Sequence, residues 1–138
     1  MIARSLLISL LVALAACQTD SRQQILASSR SQVDMRAISS RAFDTADRGV
    51  VLRASLAALQ DLGFSIDRAD DTLGVISATK LQGYAMRLTV TVRPRGPQQT
   101  VVRVSGQYNQ QEVADPASFQ HFFRALEQAL FLTANAVD

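Results

Sequence analysis

The stretch from Tyr84 to Tyr108 constrains the fold most tightly. Met86, Leu88, Val90 and Val92 alternate with Arg87, Thr89, Thr91 and Arg93. Val102, Val104, Gly106 and Tyr108 alternate in the same way with Val101, Arg103, Ser105 and Gln107. Successive side chains of a strand point to opposite faces, so each run is a strand with one apolar and one polar side. Arg93-Pro94-Arg95-Gly96-Pro97 lies between them. Two prolines and a glycine do not continue a ladder, which predicts a turn and hence a hairpin over Tyr84–Arg93 and Thr100–Tyr108. The apolar side of that hairpin must be covered, and the rest of the chain supplies the cover.

Two segments carry helical periodicity. Over Asp44–Leu62, Val51, Leu52, Ser55/Leu56, Ala58/Leu59 and Leu62 fall on one helical face. Asp44 or Thr45 is placed to accept from the free first-turn amides, Asp47 suits the positive end, and Gly63 stops the helix. The second helix opens at Asp115-Pro116, a capping carboxylate followed by proline at the first helical position. Phe119, Phe122, Phe123, Leu126, Ala129, Leu130 and Thr133/Ala134 then recur at three and four. Between the helices, Phe64, Ile66 and Arg68 alternate with Ser65 and Asp67, Ala69–Thr72 is a polar turn, and Leu73–Lys80 is the return strand. Arg36–Asp44 is a first strand whose apolar residues, Ile38, Ala42 and Phe43, do not share one parity, as a bulge would produce. Asn109–Ala114 reads as a polar loop. The order β-α-β-β-β-β-α predicts an α+β fold of two layers. An antiparallel sheet of four to five strands would carry both helices on one face and leave the other face uncovered.

Ahead of this domain the chain changes character. Ser5–Ala16 is apolar on all sides and follows a single cation, Arg4. About a dozen residues fall short of the roughly 20 that a spanning helix needs, and the segment reads as targeting rather than structure. It ends at Leu14-Ala15-Ala16-Cys17 and turns polar at Gln18. This site resembles a bacterial lipoprotein signal. The resemblance implies cleavage before Cys17, acylation of that residue (palmitate among its chains) and anchorage to a membrane. Gln18, where an aspartate favours inner-membrane retention in enterobacteria, implies the outer membrane on its periplasmic side. Cys17 is the only cysteine, so the chain has no internal disulfide. Residues 1–16 are then the signal peptide, 17–34 the lipidated cysteine and a flexible polar tether, and 35–138 a single periplasmic domain. A frayed helix over Ser21–Ser31 is the alternative for part of the tether. A chain of 17 or so residues has a typical reach of roughly 20–25 Å. Cleavage leaves 122 residues and a net charge of +1, which gives no basis for nucleic-acid binding.

One further run carries a resemblance. Leu59-Gln60-Asp61-Leu62-Gly63-Phe64-Ser65-Ile66-Asp67, an acidic turn and Leu73-Gly74-Val75-Ile76 are similar to the helix-grip domains of BamC-like outer-membrane lipoproteins. The layout agrees over about Phe43–Ala134. The resemblance implies a non-enzymatic envelope lipoprotein of helix-grip type. BamC has two such domains and a long partner-binding tail. This chain has one domain and a short tether, so contacts with the barrel-assembly subunits are not carried over.

No residue set points to catalysis, a metal or a cofactor. His121, the only histidine, has no ligating companion at metal spacing. Asp67, Asp70 and Asp71 fit a turn better than a calcium loop. Gly63 and Gly74 stand too far apart for a phosphate loop. Arg93 and Arg95 at the turn would reach lipid phosphates or simply solvent. Two functions of different class follow. In the first, Arg87, Arg93 and Arg103 cluster on the polar sheet face and dock another envelope protein. In the second, Phe119, Phe123, Leu126 and Leu130 line a site for an apolar small molecule or lipid with Met86, Leu88 and Val90. The first is preferred, because a domain of this size needs those side chains for its core.

Overall fold

The structure, a computed structural model, describes residues 31–83 and 85–134. The chain divides into two units, Met1–Met35 and Arg36–Asp138. Leu14, Ala15, Ala16 and Cys17 lie outside the described residues, as does the tether up to residue 30. Residues 31–39 are helical.

The second unit is α+β, in the order β1 (Ser40–Phe43), α1 (Arg48–Asp61), β2 (Ser65–Asp70), β3 (Val75–Leu81), β4 (Ala85–Arg95), β5 (Gln99–Tyr108), β6 (Gln111–Glu112) and α2 (Pro116–Ala134). The strands form one antiparallel sheet in the order β1-β5-β4-β3-β2, with β6 pairing to β5 beside β1. The expected two-layer α+β class is present, and β1, α1 and β2–β5 follow one another along the chain as expected. β6 adds a sixth strand inside the expected polar loop, and Val113 after it is buried.

The core follows from the alternation. Ile76 and Ala78 of β3, Leu88, Val90 and Val92 of β4, and Val102 and Val104 of β5 are buried on one face. Phe119, Phe122, Phe123 and Leu126 of α2 and Val51, Ala58 and Leu59 of α1 are buried with them. Phe122 and Phe123 meet edge to face at 5.5 Å, the arrangement that ring quadrupoles favour. Fully burying each large side chain is worth about 1.5–3 kcal/mol, so this interlayer contact dominates stability. Ser55 is also fully buried, and its hydroxyl is satisfied by donating to the Val51 carbonyl at 2.8 Å.

Several boundaries differ from expectation. The first strand is confined to Ser40–Phe43, and the residues from Arg36 to Ser39 are helical. Arginine and alanine favour helix, and pairing begins only at Ser40, opposite Arg103. The first helix starts at Arg48, not at Asp44. Its cap is Asp47, whose Oδ1 accepts from the Val50 amide at 3.0 Å. Asp44 accepts from Gln99 and Thr45 Oγ1 accepts from the Asp47 amide, so neither caps the helix. β2 continues to Asp70 and carries a register shift between Ile66 and Arg68. The long hairpin keeps Pro94 and Arg95 in the ladder, opposite Thr100 and Gln99, so its turn is shorter than expected and centres on Gly96. Asp115 does open α2, accepting from the Ala117 amide at 3.1 Å.

The turn from β2 to β3 is fixed from three sides. Leu73 N–H donates to Asp70 Oδ1 at 2.9 Å. Arg48, on the first turn of α1, donates to the carbonyls of Asp71 and Thr72. The Val92 amide donates to the Gly74 carbonyl at 2.7 Å. Gly74 has φ +67°, and a Cβ there would stand 2.4 Å from the Val92 carbonyl oxygen.

Candidate functional site

The strand register builds the uncovered face row by row. Thr79, Arg87, Gln107 and Glu112 lie side by side. The next row holds Ser77, Thr89 and Ser105, and the next Val75, Thr91, Arg103 and Ser40. Arg93, Val101 and Ala42 follow, then Arg95 and Gln99. These side chains are exposed or half-buried, whereas the alternate residues in the middle of the sheet, such as Ile76, Leu88, Val90 and Val102, are buried.

All three sequence-selected arginines lie on this face and are exposed, but they do not form one cluster. Arg93 and Arg103 are diagonal neighbours on paired strands, at a typical spacing of about 7–8 Å. Arg87 stands six residues from Arg93 along β4, about 20 Å at the strand rise. The Arg87–Arg93 separation follows from the strand rise alone, whereas the place of Arg103 beside Arg93 depends on register, which alternation does not supply. Arg95 joins the Arg93 end, two residues further along the same strand.

The two ends differ in surroundings. Arg87 borders an open groove of about 540 Å³ with Ser77, Thr89, Ser105, Gln107 and Glu112. It is rich in hydroxyl and amide groups and includes one carboxylate. Arg93 and Arg103 border a second groove of about 400 Å³ with Thr91 and Val101. Among the described residues the ion pairs are Arg41–Glu127, Arg48–Asp71 and Arg68–Asp70. Arg87, Arg93, Arg95 and Arg103 enter none of them. Arg103 Nε donates to the neutral Ser40 hydroxyl at 3.1 Å.

Other selected residues have structural partners. Asp67 accepts from Thr79 Oγ1 at 2.6 Å. Asp70 closes the β2–β3 turn, and the Leu73 amide, aided by Arg68, outweighs partial burial to hold its carboxyl below the usual value. Asp71 faces Arg48. His121 is exposed on α2 and borders a groove of about 210 Å³ with Leu62, Phe64, Lys80, Met86 and Leu88. Among the described residues no three His, Cys, Asp or Glu side chains converge as a metal site would need. Of the residues expected to line an apolar ligand site, Phe119, Phe123, Leu126, Leu88 and Val90 are buried in the core. The small groove bordered by His121 is below the roughly 300–1,000 Å³ of ordinary ligand pockets.

Two cations were not singled out from the sequence. Arg41 points to the covered side, 4.7 Å from the Phe123 ring centroid, and pairs with Glu127. Lys80, the only lysine, donates to the Leu62 carbonyl at the end of α1 at 2.8 Å and lies 5.8 Å from the Phe64 ring centroid. Only a three-dimensional neighbour distinguishes them from any other surface cation.

No helix among the described residues is long and apolar enough to cross a membrane. No known protein family matches the chain, and no curated protein matches it significantly.

Proposed function

We propose that this protein is a non-enzymatic, lipid-anchored envelope module of BamC-like, helix-grip type. It is held at the periplasmic side of the outer membrane through acyl chains on Cys17. It acts as an accessory to a cell-envelope complex and engages a partner protein with the uncovered sheet face. The observation that carries this reading is the asymmetry of the sheet. One face is filled by both helices, while the other presents arginines without a carboxylate partner among the described residues. An unpaired guanidinium in a field of hydroxyls and amides is well suited to a partner's carboxylates, with bidentate geometry and little cost of breaking existing pairs. The Leu14-Ala15-Ala16-Cys17 sequence supports the anchor.

The test is affinity capture from the native envelope. Arg87→Glu leaves the melting temperature unchanged and abolishes co-purification of the partner. Unchanged capture by this variant removes the Arg87 groove of this face as the interface. Mass spectrometry of the N-terminal peptide tests the anchor separately: a free thiol on Cys17 refutes it.

A further inference from the structure

The separation of the arginines assigns the two ends of the uncovered face different tasks. We infer that the hairpin end, bearing Arg93, Arg95 and Arg103, docks on the phosphates of an anionic phospholipid surface. This rests on the reading that the chain is anchored to a membrane, and it adds a second, reversible contact to that anchor.

Four observations favour a lipid surface over a protein at this end. First, the three guanidinium groups are exposed and have no ion-pair partner among the described residues. Second, by register the nearest carboxylate is Asp44, one residue beyond β1, and it is engaged by the Gln99 amide at 2.6 Å. A neutral amide leaves the Asp44 charge in place, but three guanidinium groups outnumber that one carboxylate and the patch stays net positive. Third, Arg93 and Arg95 sit on a protruding hairpin whose residues from Arg93 to Gln98 are all exposed, so a flat layer of headgroups can meet them together. Fourth, the chain leading from Cys17 joins the sheet at Ser40, whose hydroxyl accepts from Arg103. The first sheet residue reached from that end of the chain therefore stands beside Arg103. A single basic residue near a charged bilayer contributes only a modest affinity. For a tethered domain that is enough, because the second contact is intramolecular. The bound state holds the hairpin end against the headgroups, and the Arg87 groove lies about 20 Å away along β4.

The experiment uses the acylated protein reconstituted in vesicles. Gln98→Cys places a thiol at the exposed turn, and with Cys17 acylated it is the only thiol in the chain. A fluorophore on that thiol is challenged with headgroup-level spin-labelled lipid. One set of vesicles is pure phosphatidylcholine and the other contains about a third phosphatidylglycerol. We expect several-fold stronger quenching in the anionic vesicles, lost when salt is raised to shorten the screening length. Arg→Gln at each of Arg93, Arg95 and Arg103 lowers the docked-to-undocked ratio by about fivefold, the equivalent of about 1 kcal/mol per basic residue. Arg124→Gln, an exposed cation on α2, leaves it unchanged. Equal quenching in both lipids, or quenching unaffected by salt, overturns the proposal without any substitution. Loss of a co-purifying acidic protein in the triple variant, with quenching unaltered, overturns it in favour of a protein site. Two fluorophores per chain mean that Cys17 is free, which defeats the anchor reading independently of the docking result.

Discussion

Gly74 carries more of the architecture than its size implies. Its carbonyl receives the Val92 amide, and its left-handed backbone leaves no space for a Cβ against the Val92 carbonyl. Gly74→Ala is expected to cost well over 2 kcal/mol in urea unfolding, because backbone strain of about 1–2 kcal/mol adds to a clash with main chain. Gly96 has a similar φ, but no atom lies within 4 Å of the place its Cβ would occupy, so Gly96→Ala should cost only the strain. Equal costs at both glycines contradict the proposed clash. Arg41 makes a second residue-scale prediction. Its ion pair is partly exposed and worth at most about 1 kcal/mol, while its position over Phe123 adds roughly 0.5–1 kcal/mol. A double-mutant cycle of Arg41→Met with Phe123→Leu should return a coupling of that second size. Asp70 sets a pH dependence. Its carboxyl is held below the usual value, chiefly by the Leu73 amide. Its contribution is therefore present above the unfolded value of about 3.9 and is lost as pH falls through the lower folded one. Asp70→Asn should flatten the acid limb of the stability curve between those two values and leave the neutral and basic limbs in shape.

At the scale of elements, α1 depends on its cap. Replacing Asp47 by alanine removes the acceptor for the Val50 amide and should lower stability by about 1 kcal/mol, read from the urea midpoint. Asp44→Ala should not reproduce that loss through the helix, because Asp44 bonds to Gln99 instead. This pair also shows what the sequence leaves open. Asp44, Thr45 and Asp47 all have capping side chains within four residues, and local chemistry alone does not choose among them. The choice falls to Asp47 because Asp44 and Thr45 are drawn to the end of β5, where Gln99 and Thr100 bond to them. The long hairpin and α2 were legible because their apolar periods persist over many residues. β6 was not, because two residues carry no period and their strand character comes from pairing with Gln107 and Tyr108. The arginine-bearing face was legible for the same reason as the hairpin. The end to which Arg103 belongs was not, since it depends on Pro94 and Arg95 staying paired with Thr100 and Gln99.

At the scale of the whole folded unit, stability is concentrated in one interlayer contact. Phe122 is fully buried and stacks edge to face on Phe123. Phe122→Ala should cost about 3–5 kcal/mol, a large share of the roughly 5–15 kcal/mol that holds a typical domain together. Chemical denaturation followed by far-ultraviolet circular dichroism measures it, and a loss below about 1 kcal/mol, the range of tolerated core swaps, would mean the layers repack freely. The outer strands tell a different story. β2 forms one border of the sheet, and its register shift between Ile66 and Arg68 interrupts the ladder among charged residues. A straight border would offer a template on which a neighbouring copy could extend the sheet, and a kinked, charged one does not. Growth of a continuous ribbon needs both borders of every copy, so the β2 border alone is enough to stop the sheet from extending through a crowd of copies.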